Sequence, residues 1–123
     1  AKWSMLLTGN YRCIRPEDMI SIKEAVHTDL DQSRAVYHWV GELCAAMGAA
    51  PEDQVPFEKY ANAAQGLAKP SSAARALFGG APNIERVDCL VKTIAAQKGM
   101  HNASVEQTAL NVDTRLEMNR AKA

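Results

Sequence analysis

The chain has 123 residues, of which 47% are hydrophobic and 23% are charged, and its 14 Lys and Arg balance its 14 Asp and Glu. This length suits one domain with a buried core, and the composition is that of an ordinary globular protein. The neutral balance argues against nucleic-acid binding, which requires clustered Lys and Arg. No apolar run approaches the roughly 20 residues that span a bilayer, so no membrane partner is expected either.

Helical patterns recur along the chain, and strand patterns do not. The apolar residues within residues 1–13 predict a buried, truncated first helix. A second helix is predicted from Pro16, because proline is tolerated in a first helical turn and the acids after it complement the helix dipole. A third is predicted from Thr28 or Asp29, with Gly48 at its end.

The middle of the chain predicts a loop and two further helices. Two prolines mark residues 49–56 as a loop. A helix is predicted over residues 57–68. It stops before Pro70, because the residue before a proline disfavours helical torsions. Residues 71–78 form a shorter predicted helix that ends at two glycines.

The last part of the chain carries the clearest helical periodicity. Apolar residues at three-and-four spacing predict a helix over residues 83–98, with Gly99 as its C-cap. A final helix is predicted from Ser104, with Gln107 completing a capping box. Residues 1–123 are therefore predicted to form a single all-α domain, a bundle of about six to seven helices.

Three cysteines, Cys13, Cys44 and Cys89, are widely spaced and odd in number. This spacing fits neither a disulfide framework nor a zinc site. Cys44 and Cys89 fall among apolar neighbours at helical spacing, which favours buried free thiols. Residues 1–7 also lack the features of a secretory signal. We therefore expect a cytoplasmic protein.

Residues 27–33 alternate acids with other residues, as the start of a calcium loop does. Such a loop requires Gly at its sixth position and Glu at its twelfth, where this chain has Arg34 and Val40. None of the histidines has a partner histidine one turn away or a nearby pair of cysteines. We predict no metal site, and interpret the acids as first-turn residues of a helix.

The most distinctive short string is Lys69-Pro70-Ser71-Ser72. Two hydroxyls beside a lysine at the start of a helix could bind a carboxylate. The alternative is simple capping, in which Ser71 or Ser72 accepts a hydrogen bond from the backbone of the first turn. The string is compatible with both, and no glycine-rich phosphate loop or Gly-x-Ser-x-Gly turn accompanies it.

The order of several motifs resembles the C-terminal domain of the ketopantoate reductase (2-dehydropantoate 2-reductase) family. The motifs are Lys69-Pro70-Ser71-Ser72, a short helix, Ile84-Glu85, a long helix closing at Gly99-Met100, and a final helix. The helix that ends at Ala46-Met47-Gly48 is also similar to one in that family. The resemblance covers the chain from about Trp3 onward.

This resemblance implies a 6-phosphogluconate-dehydrogenase-like helical domain that dimerises and binds a small 2-keto acid. The family's members carry an N-terminal Rossmann domain for NADPH, so NADP would be bound mainly outside this chain. The chain would then be the C-terminal part of a longer protein and inactive alone. The resemblance places substrate contacts on Ser71 and Ser72, and makes Glu85 and Asn10 candidate catalytic residues.

One position departs from the family's pattern. The family's first helix carries a lysine that protonates the substrate carbonyl, followed by an asparagine, whereas residues 3–10 place Met5 at the lysine position. Methionine cannot donate a proton, and Lys2 lies one helical turn away. The alternative hypothesis is a non-catalytic interaction or dimerisation module, in which the last two helices pack against a partner and the serines only cap.

Overall fold

The computed structural model describes residues 2–122, which contain seven α-helices and no β-strand. The predicted all-α fold is confirmed. The helices are α1 (Lys2–Met5), α2 (Ile22–His27), α3 (Leu30–Ala46), α4 (Phe57–Ala64), α5 (Ser72–Phe78), α6 (Val87–Gln97) and α7 (Ala103–Lys122). No helix in this part of the chain is long and apolar enough to cross a bilayer.

The predicted first helix forms, but with three different geometries. The single α-helical turn of α1 continues into a π-helical turn, Leu6–Asn10, and then into a 3₁₀ turn, Tyr11–Cys13. A second 3₁₀ turn, Pro51–Asp53, lies within the predicted loop. π-Helical geometry is rare and recurs at functional sites, so the turn Leu6–Asn10 is a candidate position for a functional site.

The second predicted helix forms, but its predicted start at Pro16 is wrong, because the helix begins at Ile22. Residues 14–20 form a tight loop, closed by an antiparallel bridge between Ile14 and Met19. Asp18, which was predicted to complement a helix dipole, binds the exposed guanidinium of Arg15, with Arg15 Nε at 2.6 Å from its Oδ1. This ion pair holds the pKa of Asp18 below its ordinary value through the hydrogen bond from Arg15.

α2 begins at Ile22, after a complete capping box. The hydroxyl of Ser21 accepts from the backbone N–H of Glu24 at 3.0 Å, and the Glu24 carboxylate accepts from the Ser21 backbone at 3.4 Å. Two amide donors of the first turn are therefore satisfied at this position, which explains why the helix starts here rather than at Pro16.

The segment after α4 explains why that helix ends earlier than predicted. The backbone N–H groups of Ile22 and Lys23 donate to the carbonyl oxygens of Lys69 (3.1 Å) and Leu67 (3.0 Å). Residues 65–70 therefore run alongside the start of α2 in a non-helical conformation. This contact places the segment before α5 next to the π turn.

Two other helix starts differ from the prediction. α6 begins at Val87 rather than at residue 83. α7 begins at Ala103, where Asn102 Oδ1 accepts from the backbone N–H of Val105 at 3.1 Å. Ser104 already lies inside the helix, so the predicted capping box with Gln107 does not form.

The core joins α1 and its π turn to α3, α5, α6 and α7. Its large, fully buried side chains are Leu7, Ile14, Val36, Val40, Leu43, Leu77, Val91, Val105, Val112 and Leu116. A smaller cluster between α2, α3 and α4 contains Val26, Tyr37, Phe57, Tyr60, Ala61 and Ala64. The three cysteines are free thiols; Cys44 is buried as predicted, whereas Cys89 is only partly buried.

A cluster of three charged side chains, Arg86, Asp88 and Asp113, connects the start of α6 to α7. The guanidinium of Arg86 binds both carboxylate oxygens of Asp88, each at 2.9 Å, and also binds Asp113 at 2.8 Å. Asp88 is fully buried. Burial alone would lower the pKa of Arg86, but the hydrogen bonds that Arg86 donates to Asp88 and Asp113 outweigh burial and raise that pKa.

We expect Arg86→Met to lower the free energy of unfolding by about 3 kcal/mol, because it leaves the buried Asp88 carboxylate without a countercharge. Arg15→Met, which breaks an exposed pair, is the matched control and should leave stability unchanged. Urea unfolding followed by circular dichroism measures both. A loss below about 1 kcal/mol in Arg86→Met would contradict this role for the pair.

Candidate functional site

Side chains donate to carbonyl oxygens of the π turn and of Met5, the residue just before it. The backbone N–H of Tyr11 closes the turn on the Leu6 carbonyl. The side-chain donors are Tyr60 Oη to Met5 O (3.2 Å), Arg12 Nη1 to Thr8 O (3.2 Å), Cys13 Sγ to Gly9 O (3.4 Å) and Ser71 Oγ to Asn10 O (2.7 Å). Buried carbonyl groups require such partners, so these side chains hold the turn in its geometry.

Gly9 allows Tyr60 to reach the turn. Gly9 is fully enclosed in a buried part of the helix, and a Cβ atom at this position would overlap the Tyr60 hydroxyl and lie 3.3 Å from Ile22 Cγ2. Burial raises the pKa of Tyr60 well above its ordinary value, so the hydroxyl stays protonated and remains a donor. The close approach of the Tyr60 hydroxyl to the turn therefore requires glycine at position 9.

We expect Gly9→Ala to lower the free energy of unfolding by about 2 kcal/mol, because the new methyl group displaces the Tyr60 hydroxyl. The double variant Gly9→Ala/Tyr60→Phe should lose about 1 kcal/mol less than the sum of the two single variants, because it removes the clashing oxygen. Thermal and urea unfolding measure this cycle.

Gly41→Ala is the control for this prediction. Gly41 lies inside α3, and a Cβ there would meet its nearest neighbour, Gln54 Oε1, at an ordinary 3.9 Å. We expect this variant to gain up to about 1 kcal/mol from helix propensity. Strict additivity of the Gly9 and Tyr60 substitutions would show that the two residues do not contact each other in solution.

Two cavities lie beside the π turn. The first, of about 450 Å³, lies between α1, the π turn, α4 and the start of α6, and Glu85 lines it. The second, of about 360 Å³, is formed by residues 66–72 with parts of the π turn, α2 and α5, and Ser72 lines it. We call them the Glu85 cavity and the Ser72 cavity. They adjoin, because Asn10 and Leu67 line both.

The four residues that the resemblance singles out come together around these cavities. Asn10 lines both, Glu85 lines the first, and Ser71 and Ser72 line the second. The segments that carry them are far apart in the sequence, so their proximity results from tertiary packing. The structure thereby places all four beside the same helical turn.

Ser71 and Ser72 differ in their surroundings. The Ser71 hydroxyl is buried, accepts from the backbone N–H of Ala74 at 3.2 Å and donates to the Asn10 carbonyl at 2.7 Å. Ser71 is therefore the N-cap of α5, as the capping alternative predicted, and also connects α5 to the π turn. Ser72 is the first residue of α5 and is exposed, so its hydroxyl is accessible to a ligand.

We expect Ser71→Ala to lower the free energy of unfolding by about 1–3 kcal/mol, because it removes the cap and leaves the Asn10 carbonyl without its donor. Ser72→Ala is the adjacent control and should change stability by less than about 0.5 kcal/mol. Denaturant unfolding of the two variants tests this contrast. An equal loss of unfolding free energy in Ser71→Ala and Ser72→Ala would contradict the distinct roles that we assign to the two hydroxyls.

The polar groups of the Glu85 cavity include several that the sequence analysis missed. Tyr11 Oη donates to the Glu85 carbonyl at 2.6 Å and accepts from the Val87 N–H at 3.1 Å, which fixes the start of α6. Burial raises the pKa of Tyr11, so it acts as a neutral hydroxyl. Lys2 lies one helical turn before Met5, and both residues line this cavity.

The acidic residues before and in α3 have structural partners. Asp29 is the N-cap of α3, where its Oδ1 accepts from the backbone N–H of Gln32 at 3.1 Å. Asp31 pairs with Arg34 at 3.2 Å. Within residues 2–122, no group of three or more His, Cys, Asp or Glu side chains is arranged to hold a metal ion.

Comparison of the chain with protein-family models, with curated proteins and with solved structures finds no match. A functional assignment therefore rests on the residues and the geometry described above.

Proposed function

We propose that this chain is the substrate-binding helical domain of a ketopantoate-reductase-like enzyme and binds a small 2-keto acid in the Glu85 and Ser72 cavities. One observation carries the proposal. Asn10, Ser71, Ser72 and Glu85, which the sequence resemblance selects from three separate segments, line two adjoining cavities around one π-helical turn.

The charges of the two cavities suit the two ends of such a substrate. The Ser72 cavity is lined by Lys69 and Arg75 together with the Ser72 hydroxyl, and these cations attract a carboxylate. The Glu85 cavity offers a carboxylate that can accept a hydrogen bond from a substrate hydroxyl. Asn10, which lies between them, can orient the molecule through its side-chain amide.

The proton for the carbonyl oxygen requires a donor other than Met5. Lys2 lines the Glu85 cavity with Met5 and Asn10, and its ammonium can both stabilise negative charge on the oxygen and donate a proton to it. We assign this role to Lys2. In this proposal Lys2, one helical turn before Met5, takes over the role of the lysine that the family carries at the Met5 position.

The described residues do not fit a dinucleotide. Between residues 2 and 122 there is no strand followed by a glycine-rich turn, the arrangement that binds a pyrophosphate in Rossmann domains. We assign NADPH to a domain outside this chain. The contribution of this chain is therefore to bind the keto acid, orient it and supply a proton.

A second candidate function is a non-catalytic dimerisation module. It is favoured by three apolar side chains on α6 and α7 that remain exposed, Leu90 (47%), Leu110 (53%) and Met118 (40%). Under this alternative the two cavities bind no substrate. A homodimer formed through α6 and α7 is also compatible with the reductase proposal, so oligomeric state alone does not separate the two.

NADPH oxidation by the full-length natural protein, with ketopantoate and a panel of other 2-keto acids, tests the proposal. We expect turnover with at least one keto acid, and a loss of kcat of about 100-fold or more in Lys2→Met, because the proton donor is removed. Lys23→Met is the control, because Lys23 is exposed on α2 and lines neither cavity.

Two outcomes would contradict this account. If the folded full-length protein neither binds NADPH nor turns over any keto acid, the reductase proposal fails and the dimerisation module is favoured. If turnover occurs but Lys2→Met is as active as Lys23→Met, the reductase proposal survives and the role assigned to Lys2 is wrong.

A further inference from the structure

A third cavity lies between α2, α3 and the first half of α7, away from the residues that line the Glu85 and Ser72 cavities. Its volume is about 260 Å³, and most of the residues that line it have polar or charged side chains. We call it the Arg12 cleft, after the guanidinium that lines it. Its size is below that of a typical site for a drug-sized ligand, so it suits a small metabolite.

The guanidinium of Arg12 is partly buried and has only neutral partners. It donates to Thr8 O (3.2 Å), Ser33 Oγ (2.9 Å) and Gln32 Oε1 (3.0 Å). No carboxylate of the described residues forms an ion pair with it. Burial lowers the pKa of Arg12, and the charge of Asp29 only partly opposes this effect. Charged groups withdrawn from water are normally paired, so this guanidinium lacks an expected anion.

Arg12 retains N–H donors that a carboxylate can use. A guanidinium has five N–H groups, and the three hydrogen bonds above use both on Nη1 and one on Nη2. The N–H on Nε and the second N–H on Nη2 remain. Hydrogen bonds from a guanidinium to a carboxylate are stronger than those to the neutral partners above, so a carboxylate is the ligand group that these donors favour.

The other charged groups of the cleft argue against a simple anion as its ligand. Glu24 and Asp29 also line it. Each uses one carboxylate oxygen to cap a helix, Glu24 Oε1 for Ser21 and Asp29 Oδ1 for Gln32, which leaves the second oxygen free. These carboxylates would repel an anion but would attract an ammonium group. The positive charge of Arg15 is already neutralised by Asp18.

We propose that the Arg12 cleft binds a small zwitterion of the free α-amino-acid class. Its carboxylate would pair with the free edge of Arg12, and its ammonium group with Glu24 and Asp29. Ile14, Ile20 and Ala25 form an apolar wall of the cleft against which a side chain can pack. This site shares no lining residue with the Glu85 or Ser72 cavity, and the proposal does not depend on the reductase function.

The test is a thermal-shift screen of the purified protein with each common L-amino acid at millimolar concentration, followed by calorimetric titration. For an amino acid that binds, its N-acetyl derivative and its amide are the matched probes, because each lacks one of the two charges. We expect the free amino acid to raise Tm with its concentration, and both derivatives to bind at least about tenfold more weakly.

Two variants separate binding from folding. Arg12→Lys keeps the charge but loses the paired donors, and should weaken binding at least about tenfold. Asn111→Leu places an apolar side chain on the α7 wall of the cleft without touching a helix cap, and should abolish binding while the protein remains folded. Arg34→Lys, outside the cleft, is the control and should bind as the natural protein does.

The proposal is overturned if no amino acid raises Tm, or if Asn111→Leu binds as tightly as the natural protein. Equal binding of a free amino acid and its N-acetyl derivative would also overturn it, because the site would then recognise a carboxylate alone.

Discussion

The hydrogen bonds to the carbonyl oxygens of the π-helical turn Leu6–Asn10 are the constraint on which the rest of the structure depends. This turn lies in the interior, where each carbonyl oxygen needs a donor. The donors to the turn come from the 3₁₀ turn (Arg12 and Cys13) and the N-cap of α5 (Ser71), and Tyr60 of α4 donates to the carbonyl of Met5 just before it. The start of the chain, α4 and the start of α5 are thereby held together at one short stretch of backbone.

Hydrogen bonds of Ser71 and Tyr11 position the candidate site. The Ser71 hydroxyl holds the start of α5 against Asn10, and the Tyr11 hydroxyl holds the start of α6 at Glu85 and Val87. The residues that face the two cavities are thus carried on backbone that is fixed by buried hydrogen bonds. Such rigid support is what a binding site requires to keep its polar groups in one arrangement.

Local patterns predicted the long elements well. Apolar periodicity places α3, α5 and α7 to within a few residues, the end signals of α3 and α5 agree with the structure, and Ser71 is a possible cap from its sequence. The predicted start of the second helix at Pro16 is wrong because the Ser21–Glu24 capping box is the stronger start signal. That signal was available in the sequence, as Ser-x-x-Glu.

The candidate site was only partly predictable, because its contacts join residues distant in the chain. The resemblance selected Asn10, Ser71, Ser72 and Glu85, but no local pattern indicates that Tyr60 reaches the Met5 carbonyl past Gly9. The π geometry also lacks a sequence signature here. The two distant donors, Tyr60 and Ser71, become visible only in the folded structure.

The central claim is that the two cavities beside the π turn form one ligand site. The most direct test is ¹⁵N chemical-shift mapping of the full-length protein with NADPH during titration with ketopantoate. We expect the perturbed amide signals to cluster at Asn10, at residues 67–72 and at residues 85–87, which surround both cavities. Perturbations confined to other surfaces, or none at saturating ketopantoate, would contradict the account.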